Sequence, residues 1–323
     1  MPVMTGIRPE STAVAVAMRG ATILVATDGY EQSDAALRAA LALATPDGEC
    51  HVVAVVPPLP IVTPEVQLPI SGEFLASRRA DLHRDIDAQL ARIGPLSPAR
   101  VVVEIEDGDP VSTIVQVARR THAKLIVAGI GRHKMVDRLF GTETTLSLMR
   151  ASPVPVLAVS RTFVLAPKQI VVAIDFSEPS TRAAHHALSI CDPAATVDLV
   201  HVGPRANRST AWEAWGTEYE RGAMVAMTAM RRTLGIPDGV TINEVLLRGD
   251  PAAELLQHAA RVGADLIVIG SHGHGYITRL LIGSVATEIV RASRFAVLAA
   301  PYLVAPSDYA DARDSLTQVA PFR

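Results

Sequence analysis

The chain has 323 residues, a formal net charge of −3, and 49% hydrophobic but only 4% aromatic residues, with two cysteines. That length suits two domains of ordinary size, each able to bury a core built of Val, Leu, Ile and Ala. The charge balance argues against a broad nucleic-acid footprint, Cys50 and Cys191 form no disulfide framework and fit a reducing cytoplasm, and no apolar run is long enough to span a membrane.

In chain order, residues 1–20 are expected to lie outside the folded units, and Ala13 to Met18 are too few for a signal-peptide core. The first unit, 21–162, opens with the strand Ile23-Leu24-Val25-Ala26, which leads to Asp28 and a helix. A second strand runs from Cys50 to Val56, followed by a long, more polar connection and helix. A third strand ends at Gly108-Asp109-Pro110, where Asp is a good N-cap and Pro suits the first helical position. The apolar run Lys124 to Gly129 reads as strand four and Val154 to Val159 as strand five. A short linker, 163–168, contains Pro167.

The second unit, 169–302, repeats this order. Val171-Val172-Ala173-Ile174 leads to Asp175, Val197 to Val202 is strand two, and Gly249-Asp250-Pro251 starts a helix. Asp265-Leu266-Ile267-Val268-Ile269-Gly270 is strand four and Phe295 to Ala299 strand five, before a tail at 303–323. Between strand four and a helix opening at Val285 stands Gly270-Ser271-His272-Gly273, then nine residues, then Gly283-Ser284. Glycines let backbone approach a ligand closely, and a helix N-terminus offers unpaired N–H groups that favour an anion. A glycine loop alone does not define a phosphate site; the strand–loop–helix context strengthens it. Alternating strands and helices imply a parallel sheet covered on both faces, with ligands beyond the carboxyl ends of the strands at the switch in strand order. Asp175, Val202 and Gly270 converge on that edge by topology alone.

This arrangement resembles the universal stress protein family in tandem form: two five-stranded, doubly wound, Rossmann-like α/β domains. The family pattern Gly-x2-Gly-x9-Gly-[Ser/Thr], with an Asp ending strand one, fits the second unit through Asp175, Gly270, Gly273, Gly283 and Ser284. The resemblance implies ATP as ligand, with Asp175 near adenosine and ribose, Val202 at the adenine, and the loop glycines with Ser284 holding ribose and phosphates. It also implies Mg²⁺ or Mn²⁺ bridging phosphate oxygens. The counterparts in the first unit are Asp28, Val55, Gly129, Gly131, Gly141 and Thr142. There the loop lacks one residue between Gly129 and Gly131, although the spacing from Gly131 to Gly141 survives. Arg132, His133, Lys134 and Arg138 suit either a phosphate or a solvated basic loop. Strand five is the family's usual pairing edge, which implies a pseudo-two-fold pair within the chain; an exposed strand edge would also suit a homodimer.

Plainer roles stand beside these. Asp175 can cap the following helix, Ser284 is an N-cap with or without phosphate, and Asp109 and Asp250 read as caps. His272 and His274 lack the Cys or carboxylate partners of a metal site. His201 reads as a strand residue with a satisfied ring, and Met224, Met227 and Met230 as core or subunit contact. No GxSxG, HExxH or Walker lysine motif is present. The expected function is therefore an ATP-binding stress regulator that acts on a protein partner in the cytoplasm, with at most slow ATP hydrolysis. A fold-only interaction module and an adenylating enzyme are the alternatives.

Overall fold

The computed structural model describes residues 18–58, 72–130, 141–160, 163, 166–205, 210–270, 283–292 and 294–301, with backbone only at 210–215. The first half comprises β1 (Thr22–Ala26), a 3-10 turn (Glu31–Ser33), α1 (Asp34–Leu43), β2 (Glu49–Val56) and α2 (Gly72–Ile93), followed by β3 (Arg100–Asp107), α3 (Pro110–Arg120), β4 (Leu125–Gly129), α4 (Thr142–Ala151) and β5 (Val156–Val159). The second half comprises β6 (Gln169–Ala173), α5 (Glu178–Ile190), β7 (Thr196–Gly203), α6 (Thr210–Thr233) and β8 (Thr241–Arg248), followed by α7 (Pro251–Val262), β9 (Leu266–Gly270), α8 (Ser284–Ala292) and β10 (Ala296–Ala300).

All ten strands form one sheet in the order β3-β2-β1-β4-β5-β10-β9-β6-β7-β8. Every neighbouring pair is parallel except β5 and β10, which meet antiparallel with Leu157 opposite Leu298. The two halves thus join through the strands that would otherwise be their free edges, as the resemblance implied. Within each half the strand order reverses beside the first strand: β1 lies between β2 and β4, and β6 between β7 and β9.

Because successive side chains alternate across a strand, buried apolar strands serve two cores. Ile23 and Val25 face α1 and α2, whereas Leu24 and Ala26 face α3 and α4. The second half divides likewise between α5 and α6 on one side and α7 and α8 on the other. The Asp-Pro helix starts form as the sequence indicates: the Asp109 side chain accepts from Ser112 N at 2.9 Å and that of Asp250 from Ala253 N at 3.0 Å. Burial on β2 pushes the Cys50 thiol up to about 12, so it stays protonated in the native state. The methionine stripe divides: Met227 and Met230 are buried, while Met224 is exposed.

One titration couples to folding. Burial, then the charges of Arg182 and His185, hold the half-buried His186 on α5 below the ordinary histidine pKa. The unfolded chain therefore binds this proton more readily, and stability falls as pH drops through about 6.5. His186→Gln should show a smaller loss of urea midpoint between about pH 7.5 and about pH 5.5 than the parent chain. An equal loss in both would show that His186 does not contribute.

Candidate functional site

In the second half, the edge beyond β6, β7 and β9 brings three of the predicted residues together. Asp175 lies two residues past the end of β6, and its Oδ1 accepts from the N–H of Ser177 at 3.0 Å and from the Ser177 hydroxyl. Ser177 in turn caps α5, its Oγ accepting from Ser180 N at 3.3 Å. The cap is therefore Ser177, with Asp175 bracing it, and Asp175 Oδ2 takes no hydrogen bond among the described residues. Gly270, the last residue of β9, abuts the same turn: a Cβ there would stand 3.0 Å from Pro179 C and 3.1 Å from Ser180 N. Glycine lets β9 end close to the start of α5, where a Cβ would force the Pro179–Ser180 turn to give by a few tenths of an ångström.

Beside them, β7 ends in His201, Val202 and Gly203. His201 Nδ1 lies 2.7 Å from the Ile174 carbonyl, which only accepts, so Nδ1 carries the proton. Nε2 then accepts from the Tyr219 hydroxyl at 2.7 Å. Phe176, at φ +64°, sets its ring 4.6 Å from the imidazole. Tyr219 of α6 covers Gly203, where a Cβ would meet its ring at 2.7 Å. Val202 is partly buried against the α7 and α8 core. Helix α8 begins at the exposed Ser284, and the Gly283 carbonyl accepts from Thr287 N at 2.9 Å. Gly273, His272 and His274 lie outside the described residues.

The first half repeats the frame with other chemistry. Asp28 is 5% exposed, and its Oδ1 accepts from Ser33 Oγ at 3.0 Å and from Tyr30 N at 3.3 Å. A polar network that the sequence reading missed ties this turn to α2. Gln89, fully buried, receives the Thr27 hydroxyl at 2.8 Å and donates to Ser33 Oγ and Asp34 Oδ1, each at 2.9 Å. Arg92 then clamps Asp34 at 3.0 and 2.7 Å. Burial opposes the charge on Asp34, but the hydrogen bonds from Arg92 and Gln89 outweigh it and hold the carboxyl below the usual range.

Gly129 ends β4 with ordinary clearance, and its carbonyl accepts from Thr145 Oγ1 at 3.0 Å. Gly141 caps α4 in extended conformation without a side-chain cap bond, Thr142 follows at the first helical position, and Gly131 lies outside the described residues. Against this edge is a cavity of about 250 Å³ lined by Asp28, Tyr30, Val55, Val56, Pro57, Arg78, Asp81, Leu82 and Asp85. Of the predicted residues, it gathers Asp28 and Val55 and leaves Gly129, Gly141 and Thr142 outside its lining. The α2 contribution was unforeseen. Among the described residues no group of three metal-ligating side chains occurs, and no helix is long and apolar enough to cross a membrane.

Two copies of a doubly wound fold, each with an Asp after its first strand and a glycine at the end of its fourth, define the class. The Universal stress protein family profile matches residues 21–160 and 167–301, and the chain belongs to that family. A universal stress protein of Mycolicibacterium smegmatis is 26% identical over 294 residues, covering 85% of this chain and 95% of its own. The crystal structure of one from Archaeoglobus fulgidus shares the fold at TM-score 0.58 and 18% identity, over 88% of this chain and 97% of that one. A universal stress protein in complex with cAMP aligns over 42% of this chain and 97% of its own at 25% identity and TM-score 0.33.

Proposed function

We propose that the chain is a stress-response regulator that binds ATP in its second domain, with domains at 21–162 and 169–302. The observation carrying this reading is the meeting of Asp175, Val202 and Gly270 at the switch in strand order, with α8 starting directly after Gly283. Ligands in open α/β sheets sit in this crevice. Asp175 Oδ2 would accept from the ribose, and the cleft wall near Phe176, Val202 and Tyr219 suits a purine face. Gly273, Gly283 and Ser284 would cradle phosphates at the helix start, with Mg²⁺ or Mn²⁺ bridging phosphate oxygens. Asp28, Val55, Gly129, Gly131, Gly141 and Thr142 hold the equivalent places in the first domain.

The reading is a switch with at most slow ATP hydrolysis. Helix α8 supplies a route for the signal. It starts at the proposed phosphate site and carries Arg291 in its last turn, which clasps Glu143 at 2.9 and 3.0 Å in the first turn of α4, across the joint between domains. A shift of α8 on binding would reach the other domain, and through it a protein partner in the cytoplasm.

Mass spectrometry of small molecules released from the purified, denatured chain tests the reading. About one ATP or ADP per chain is expected. None, together with no binding of added MgATP, would replace it with the interaction module.

A further inference from the structure

The clefts of the two domains can be compared residue by residue. Arg79 pairs with Asp107 beside the end of β2, and Glu220 with Arg248 beside the end of β7, an ion pair of inverted sign at one place. The fully buried Ile86 and Met227 follow seven residues later in each helix. This register sets Arg78 against Tyr219, Asp81 against Gly222, Leu82 against Ala223 and Asp85 against Ala226. Where the second domain offers a tyrosine and small residues, the first offers two extra carboxylates.

These line an open cleft of about 250 Å³. At its base is Asp28, more than nine-tenths buried, whose Oδ2 takes no hydrogen bond among the described residues. At its rim is Asp85, also without a partner among them. Asp81, one helical turn before Asp85, pairs with the exposed Arg84. Arg78, the lone cation of the lining, donates to the Pro57 carbonyl at 3.1 Å. Between base and rim the wall is apolar, through Val56 and Leu82. The lining holds three carboxylates to one guanidinium, a balance that favours a cationic ligand. A carboxylate oxygen that faces a cavity without a protein donor favours a cation. Two carboxylates separated by apolar wall match two ammonium groups separated by methylenes, and about 250 Å³ suits a compact ligand.

We propose that the cavity of the first domain binds a small aliphatic diamine or polyamine, so that one chain carries two sites of opposite charge preference. The site does not depend on nucleotide binding in the second domain. Putrescine and spermidine are each titrated calorimetrically into the nucleotide-free full chain. One saturable site is expected, weakened roughly tenfold in Asp85→Asn, whose exposed position spares the fold, and at least as much in Asp28→Asn. Absence of a saturable site, affinity unchanged in both variants, or displacement of putrescine by adenosine would each overturn the proposal. MgATP is titrated separately into the same variants. Its failure to bind the parent chain would count against the nucleotide reading alone, and its unaltered binding to Asp85→Asn is expected.

Discussion

Gly283→Val is expected to weaken MgATP binding by roughly a hundredfold or more while the chain stays folded. A phosphate held at a helix start depends on several charge-assisted hydrogen bonds from main-chain N–H groups, each worth about 1.5–3 kcal/mol, and an isopropyl group at the entry residue keeps the anion from reaching them. The fold should tolerate the change. Gly283 is partly exposed, its helical role is played by its carbonyl, which accepts from Thr287 N, and that bond survives substitution. Gly141→Val at the equivalent entry to α4 is the control, because the proposed ATP site lies in the other domain. Calorimetry with MgATP, accompanied by far-ultraviolet dichroism, separates the cases. Undiminished affinity in a folded Gly283→Val chain would refute the site, and loss only in Gly141→Val would move it to the first domain.

The sequence disclosed the frame better than the cleft, for a physical reason. Strands buried on both faces are continuous apolar runs between turn signals, so β2, β4, β7 and β9 emerge within a residue or so of their observed limits. Asp109 and Asp250 declare their helices through local capping chemistry. Repetition then aligns the two halves and marks Asp28 with Asp175. What stayed hidden depends on long-range register. The cleft walls come from α2 and α6, each entered through a long connection, and which face of such a helix meets the strand ends is settled by packing at Ile86 and Met227. A long, mostly polar stretch such as Gly72–Ile93 reads as a solvated helix. Nothing local marks Asp81 and Asp85 as cavity residues or Gln89 as fully buried. His201 was legible as a satisfied strand histidine, yet its partners, Ile174 and Tyr219, come from two other elements.

Asp198→Ala should cost about 3 kcal/mol of folding stability, the largest single loss expected from a polar substitution in the second domain. Asp198 sits in the middle of β7, only 3% exposed, facing α7. Its Oδ2 lies 2.7 Å from His258 Nε2, and its Oδ1 accepts from Asn243 Nδ2 at 2.8 Å. Arg261 Nη2 stands 2.6 Å from His258 Nδ1. A guanidinium only donates, so Nδ1 is the acceptor and the ring proton resides on Nε2, pointing at Asp198. Truncation strands that N–H in the interior at the cost of an unmet buried hydrogen bond, whereas the exposed Asn243 amide can turn to water. Asp198→Asn, which keeps an acceptor, should lose less than the alanine variant. The first domain solves the same position differently. His51 on β2 lies between Glu104 and Glu49 at 2.8 and 2.9 Å, with Val117 of α3 where α7 carries His258. Glu49 is more exposed than Asp198, so His51→Ala should be the milder change. Both tryptophans of the chain, Trp212 and Trp215, belong to the second domain, so their fluorescence in a urea titration reports its unfolding selectively. A loss below about 1 kcal/mol in Asp198→Ala would show that the network contributes no more than an ordinary surface contact, and that the buried apolar face of β7 holds α7 without it.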